Sequence, residues 1–265
     1  MKRRIRGRIL DAFYRMIPKR YYPRLIADLE ARAFSPLDYA KHEILLAHGV
    51  RANSCESEPE LVKYIETYLK PGQVFYDIGA NIGAFALVAA KYHQGQVKVY
   101  AFEPAAANVP ILMQNILRNH CEKSIVPLAV PLAKESTMAV FNYHPNHFRA
   151  GGGLHALGDA VDYDGKPFEP FFQQLMLSAT IDDLVGQGHL PAPQHMKLDV
   201  DGLEFEILSG AETVLKGPVA ETVFLEVGKR FDEQQLVSYL ESCGFLAVET
   251  YRHDNTANRL FAKRK

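Results

Sequence analysis

Four acids in this sequence occupy positions where chemistry can be done. Asp77 closes the apolar run Val74-Phe75-Tyr76, Glu103 closes VKVYAF, Asp199 closes HMKL, and Glu226 lies near the end of TVFLEV. Each run has the apolar or alternating pattern of a strand. In an open α/β sheet the carboxyl ends of the strands border the ligand crevice, so the four carboxylates are expected along one edge. That is more charge than solvation of the edge requires, and it marks a functional site. His155 is the one histidine singled out beside them. It sits in a glycine-rich stretch remote in sequence from the acids, and an imidazole there could move a proton.

The segment that follows Asp77 narrows the ligand. Gly79 and Gly83 bracket a tight loop with Asn81 between them, and AFALVAAK (84–91) then reads as a helix. Strand, glycine loop and helix open a nucleotide-binding βαβ unit. The glycines are expected where a cofactor must approach the backbone and a Cβ would be in the way. The Gly-x-x-x-Gly spacing lacks the third glycine of a dinucleotide fingerprint, and Asp77 would set a carboxylate beside a pyrophosphate. A cationic ligand suits that carboxylate better, and S-adenosylmethionine carries a sulfonium and an ammonium. Glu103 stands 20 residues beyond Gly83, the offset at which a carboxylate takes ribose hydroxyls. The third strand, IVPLAV (125–130), ends without an acid, so adenine contacts there would come from backbone or apolar packing.

These residues need a scaffold, and the remaining patterns supply it. Helices are predicted over 104–120, with Ile111, Leu112, Ile116 and Leu117 inward, over FEILSGAETVL, and over FDEQQLVSYLESC, stopped by Gly244. Thr180-Ile-Asp-Asp183 has the form of a helix N-cap with acids in the first turn. FLAVETY and RLFAKRK close the chain as a hairpin. Between Thr137 and Ala179 the βα rhythm breaks. MAVFNYH and QLMLSAT read as two arms of a hairpin around a segment at about 143–174 that holds Gly151-Gly152-Gly153, His155, Tyr163, Phe168, Phe171 and Phe172. A loop of that length with that aromatic content is expected to be an ordered lid or substrate platform. Residues 24–70 read as mainly helical, with Glu58-Pro59-Glu60 starting a helix that Pro71-Gly72 ends. The expected organisation is an N-terminal helical extension or cap over 1–70 and an α/β domain over 71–265.

The bulk numbers exclude some functions. The chain has 265 residues, 48% of them hydrophobic, enough for one sizeable core. Its net charge of −1 conceals an asymmetry, because residues 1–24 hold nine Lys or Arg against Asp11 alone. The acidic remainder argues against nucleic acid as a partner. Cys55, Cys121 and Cys243 are in no metal or disulfide spacing, as in a reducing compartment. No apolar run approaches a membrane span, and Asp11 and Arg15 interrupt what would be a signal peptide's apolar core. The expected location is cytoplasmic. Ile5, Ile9, Phe13 and Ile17 place an apolar stripe on a basic helix, which would either dock on the domain or lie on an anionic membrane surface at its inner face.

The strings FYDIGANIG, AFEP, the Asn115/Asn119 pair, IDDL and KLDVDGLEFEILSGAE resemble the FkbM-type S-adenosylmethionine-dependent methyltransferases over roughly residues 56–228. ALGDAVD, after His155, is similar to members associated with sugar and polysaccharide clusters. The resemblance implies a Rossmann-like methyltransferase fold, a seven-stranded mostly parallel sheet with the last strand antiparallel. It implies O-methylation, often of a saccharide hydroxyl. Many members have Glu where this chain has Asp201, which keeps the charge and shortens the reach. Carried over by position, Asp77, Gly79, Asn81 and Gly83 would hold the methionine end, Glu103 the ribose, and Asp199 would lie next to the transferred methyl. The acceptor would be a small molecule or a glycan.

An in-line displacement at a sulfonium needs alignment and desolvation above all, and a base helps a sugar hydroxyl lose its proton. Asp199 is the first candidate for that base, with Glu226 and His155 next. Asp199 and Glu226 could instead hold a divalent cation, for which oxygen ligands suit Mg²⁺, though this is not the favoured reading. Two other readings use the same sheet: an NAD-dependent oxidoreductase, disfavoured by the glycine spacing, and a non-enzymatic nucleoside-binding subunit of a glycan-assembly complex.

Overall fold

The computed structural model describes residues 18–21, 34–47, 51–147, 149–162, 164–228, 233–253 and 256–264. The basic helix expected over 1–20 therefore lies almost wholly outside the described residues. The segment up to residue 70 is not all helix. Strands β1 (Phe34–Pro36) and β2 (Leu45–Ala47) pair antiparallel before helices α1 (Ser54–Ser57) and α2 (Pro59–Tyr68). Long-range partners explain the departure. The Asn115 side chain accepts the Ala47 N–H at 2.8 Å, and Asn119 accepts the Leu45 N–H at 2.9 Å and donates to the Leu45 carbonyl at 2.8 Å. Two buried amides on a helix thus stand in for a neighbouring strand, which local sequence could not reveal.

The core of the chain is one sheet. Strand β3 (Val74–Ile78), helix α3 (Ala84–Tyr92), strand β4 (Lys98–Phe102), helix α4 (Val109–Arg118) and strand β5 (Ile125–Leu128) come first. Then follow β6 (Met138–Tyr143), β7 (Ala156–Leu157), β8 (Phe172–Leu177), α5 (Ile181–Gly186), β9 (His195–Leu198), α6 (Glu204–Ser209), α7 (Glu212–Lys216) and β10 (Thr222–Gly228). Helix α8 (Glu233–Ser242) and strands β11 (Phe245–Arg252) and β12 (Thr256–Lys263) close the chain. The seven-stranded order is β11-β12-β10-β9-β3-β4-β5, and β12 alone runs against the others, wedged between β11 and β10. This is the predicted mostly parallel sheet with its last strand reversed. The chain steps outward from β3 to β5, then returns to β9 on the other side of β3. The switch point, and hence the crevice, lies between β3 and β9.

Both faces of the sheet are covered, so its strands carry apolar residues on both sides. Phe75 and Val99 face the helices α2 to α4, and Tyr76, Leu198 and Leu225 face α6 to α8. Burial of each large side chain contributes roughly 1.5–3 kcal/mol. Thr180 caps α5 by accepting the Asp183 N–H at 2.9 Å, as its sequence predicted. The predicted single helix FEILSGAETVL is two. It breaks at Gly210, where a Cβ would lie 2.3 Å from the Ala133 carbonyl oxygen, so the approach of another loop interrupts it. Helix α4 likewise starts five residues later than expected. The Ala105 and Ala106 amides are taken by the Glu103 carboxylate and the Tyr143 hydroxyl, at 2.8 and 3.0 Å.

The break in the βα rhythm is a small sheet of its own, β7-β6-β8, with β6 and β8 as the predicted hairpin arms. Among the described residues no helix is long and apolar enough to cross a membrane.

Candidate active site

The carboxyl ends of β3, β4, β9 and β10 border a cavity of about 270 Å³. Gly79, Asn81, Glu103, His155, Asp199 and Glu226 all line it, so six of the residues picked from sequence converge there. Asp77 and Gly83 do not line it.

Asp77 lies behind the cavity wall. Its side chain is 1% exposed and pairs with the Lys197 ammonium, 3.3 Å from its Oδ1. Burial raises the Asp77 carboxyl above its ordinary value, against the pull of Lys197. A protein cation thus answers the charge that the sequence reading reserved for a ligand. Lys197 sits one strand over on β9, 2% exposed, and also donates to the Gly79 carbonyl at 3.0 Å. It was missed because a lysine in mid-strand carries no motif. Only the register Asp77↔Lys197 between β3 and β9 makes it a partner.

The glycines have a packing reason as well as a ligand one. A Cβ on Gly79, whose φ is +78°, would lie 1.9 Å from the Asp199 carbonyl oxygen, and one on Gly83, at φ +89°, would meet Leu112 at 2.5 Å. Gly79 therefore lets β9 end against the loop and brings Asp199 to the cavity. Asn81 also has a positive φ, 52°, where Asn is tolerated. Its side chain accepts the Ile82 N–H at 2.9 Å and donates to the Gly152 carbonyl at 3.0 Å.

Glu103 organises the loop from the next strand. Its two oxygens accept the Asn81 and Ala105 N–H groups, each at 2.8 Å. Burial pushes its carboxyl up to about 7 despite those bonds. Each carboxylate oxygen keeps a further acceptor position. Next to it Phe102, Val130, Pro131 and Leu132 form an apolar slot.

Asp199 and Glu226, at the ends of the paired strands β9 and β10, hydrogen-bond each other. Two carboxylates in contact cannot both ionise cheaply. Burial and the Asp199 charge push Glu226 up to about 8. Burial would raise Asp199 too, but Lys197, the bond to Glu226 and Arg51 together hold it below its ordinary value. The pair carries one proton, on Glu226, and one charge, on Asp199. Among the described residues no group of three or more His, Cys, Asp or Glu is arranged to hold a metal ion.

His155 lines the same cavity from the insertion, edge-on to Phe141 and Tyr143. Its Nδ1 accepts the His144 N–H at 3.2 Å, and burial lowers its pKa to about 4. The ring is neutral with its proton on Nε2, which is buried and has no partner. That Nε2–H is closed off from the cavity, and the ring is not poised as a base.

The segment before the sheet adds three cavity residues that went unassigned in the sequence, Arg51, Ser54 and Glu58. Burial, then the charge of Asp199, push Glu58 up to about 7. Arg51 donates from Nε to the Gly151 carbonyl at 3.3 Å. The insertion is fastened at the same point. Asn108, 1% exposed, accepts the Gly151 N–H and donates to the Gly152 carbonyl, both at 2.9 Å. Asp201, in the left-handed region at φ 58°, accepts the Leu154 N–H at 2.7 Å. Asp201 thus anchors the insertion, a role its place in the KLDVDG string did not disclose.

The chain is similar to known methyltransferases. Residues 77–247 match the family described as the Methyltransferase FkbM domain. The chain is 26% identical over 192 residues to a hexuronic acid methyltransferase, AglP, of Haloferax volcanii, covering 72% of this chain and 70% of that protein. It is 28% identical over 160 residues to the 31-O-demethyl-FK506 methyltransferase FkbM of Streptomyces tacrolimicus, covering 54% of this chain and 61% of that one. The crystal structure of a methyltransferase FkbM from Methylobacillus flagellatus aligns with a TM-score of 0.50 and 18% identity, over 74% of this chain and 45% of that chain. At that identity the likeness shows the fold.

Proposed function

The chain belongs to the FkbM methyltransferase family, and from that premise we propose that it is an S-adenosylmethionine-dependent O-methyltransferase acting on a saccharide hydroxyl. The observation that carries this reading is the convergence of Glu103, Asp199 and Glu226, from the ends of three strands, on one cavity behind a glycine loop. An acidic cavity suits a cationic cofactor and repels the pyrophosphate of a dinucleotide.

The residues divide the work by position. The spare acceptor positions of Glu103 take ribose hydroxyls, and the slot at Phe102 and Val130 to Leu132 takes the adenine. The ionised Asp199 attracts the cationic end. S-adenosylmethionine, when bound, supplies a methyl group on a positively charged sulfur. Of the two paired acids only Asp199 is ionised at neutral pH, so it is the one able to accept the proton of an acceptor hydroxyl. Glu226 holds the other proton and keeps the pair from repelling itself. His155 contributes part of the wall that the insertion adds to the cavity.

A sugar as acceptor is supported by the AglP relative, whose name specifies a hexuronic acid, and an oxygen as the methylated atom by the name of the FkbM relative. The test is incubation with methyl-labelled S-adenosylmethionine and a panel of nucleotide sugars, lipid-linked glycans, free oligosaccharides and small phenols, read by mass spectrometry. Labelled saccharide supports the reading. Labelled phenol alone, or no product from a chain that binds the cofactor, overturns it.

A further inference from the structure

S-adenosylmethionine is not only a cation. Its methionine end carries an α-carboxylate on the same carbon as the ammonium. Glu58, Glu103, Asp199, Asp201 and Glu226 line the cavity and would repel that carboxylate. Two cations line it as well among the described residues, Lys197 and Arg51. Lys197 is committed elsewhere, since its side chain is 3% exposed and pairs with Asp77 and Asp199. Resting on the cofactor reading above, we propose that Arg51 binds the α-carboxylate of S-adenosylmethionine.

Arg51 stands at the glycine loop with its terminal nitrogens available. Its Nε donates to the Gly151 carbonyl at 3.3 Å, and Asn81 of the loop donates to the Gly151 and Gly152 carbonyls at 3.5 and 3.0 Å. The guanidinium and the loop thus meet at one backbone oxygen. Asp199, which draws the ammonium, abuts the same loop at Gly79. A carboxylate and an ammonium fixed to one carbon therefore meet opposite charges bordering one loop. The Arg51 charge is felt by Glu58, Asp199 and Asp201, but among the described residues it forms no ion pair. Its two terminal nitrogens keep the planar fork that fits a carboxylate.

The backbone is built to hold this side chain. Arg51 stands at φ 66°, a left-handed conformation uncommon for a residue with a Cβ. Ser54 fastens the turn, because its N–H and its hydroxyl both donate to the Arg51 carbonyl, at 3.1 and 2.8 Å. Strain of this kind persists where the surroundings enforce it, and it clusters at ligand clamps. Arg51 also precedes residues 77–247, which match the family, so this part of the site comes from the segment before the sheet.

Calorimetry on the full chain compares S-adenosylhomocysteine with its decarboxylated analogue, which keeps the adenosine, the sulfur and the amine. The parent is expected to bind S-adenosylhomocysteine about 10- to 100-fold more tightly than the analogue. Arg51→Met should abolish that preference by weakening S-adenosylhomocysteine alone, and unchanged analogue affinity shows the adenosine site intact. Arg51→Lys, which keeps the charge but not the fork, should retain part of the preference. Should Arg51→Met not fold, Arg51→Lys decides by the same comparison. A variant that keeps the full preference, or that stays folded by circular dichroism yet loses both ligands equally, overturns the assignment and leaves the cofactor reading standing. Unchanged S-adenosylhomocysteine affinity with a raised KM for a uronate-bearing saccharide overturns it too and gives the guanidinium to the acceptor. A parent that binds neither ligand overturns the cofactor reading and the assignment together.

Discussion

The Lys197 ammonium lies 3.3 Å from Asp77 Oδ1, and the two side chains are 3% and 1% exposed. The same ammonium is 3.4 Å from Asp199 Oδ2, whose side chain is 33% exposed on the cavity side. One buried cation therefore connects a sealed carboxylate to an open one. This pairing lets the sheet place a charged group at the crevice without leaving Asp77 uncompensated.

Removing Lys197 should accordingly damage folding first. Lys197→Met leaves Asp77 buried without a counter-charge and is expected to cost about 3–5 kcal/mol. Lys197→Met with Asp77→Asn should recover much of that loss. Urea denaturation of the parent, Lys197→Met, Asp77→Asn and the double variant measures it. Additive single-variant losses would mean that the pair is not coupled.

The charge on Asp199 should matter to transfer more than to fold. Asp199→Asn keeps size but removes the ionised member of the pair, and methyl transfer is expected to fall by about 10²–10⁴. Glu226, relieved of a like charge, should then ionise below its present value of about 8. Rates within a few-fold of the parent would place the base elsewhere.

Stability of the unliganded protein should decline as pH rises from about 6.5 to 8. Glu58, Glu103 and Glu204 are pushed up to about 7 and Glu226 to about 8, from an ordinary 4.5, chiefly by burial. The folded chain thus holds protons that the unfolded chain has already released. It binds more protons than the unfolded chain in that window, so its stability falls with rising pH, on the order of a few kcal/mol in all. The lowered Asp199 and Glu60 oppose this below pH 4.5, and His155 and His195, lowered to about 4 by burial, oppose it up to about pH 6.5, so the decline is clearest above that. Melting temperature against pH reads the sign. A curve that climbs from about pH 6.5 to 8 contradicts the burial of these acids.

Cofactor affinity should run the other way. Ribose hydroxyls donate to an ionised Glu103, so S-adenosylhomocysteine should bind more tightly as pH rises through about 7. Glu103→Gln is expected to flatten that dependence and weaken binding by about 1–3 kcal/mol. Calorimetry at pH 6 and 8 decides. An unaltered pH dependence in the folded variant would remove Glu103 from the ribose.

The basic segment 1–20 invites a separate measurement. Each basic residue near an anionic membrane contributes about 1 kcal/mol. Sedimentation with anionic liposomes should show binding that falls with salt and is lost when residues 1–20 are deleted. Binding by the shortened chain, or none by the intact one, would leave the segment without a membrane role.

Local sequence determined much of this protein. Apolar runs ending in acids fixed the strands, because a strand buried on both faces must be apolar until it reaches the crevice. Gly79 and Gly83 marked the loop, since φ near +80° is open to little else. Glu103, Asp199 and Glu226 could be found because strand ends converge in any parallel sheet. What lies between elements was decided only by the fold. Lys197 became the partner of Asp77 through register. β2 became a strand through two amides 68 and 74 residues away. Asp201 became an anchor of the insertion, and His155 part of the cavity wall, only when the insertion folded. Each of these rests on a hydrogen bond or ion pair whose two halves are far apart in the chain, and neither half carries a pattern that identifies the other.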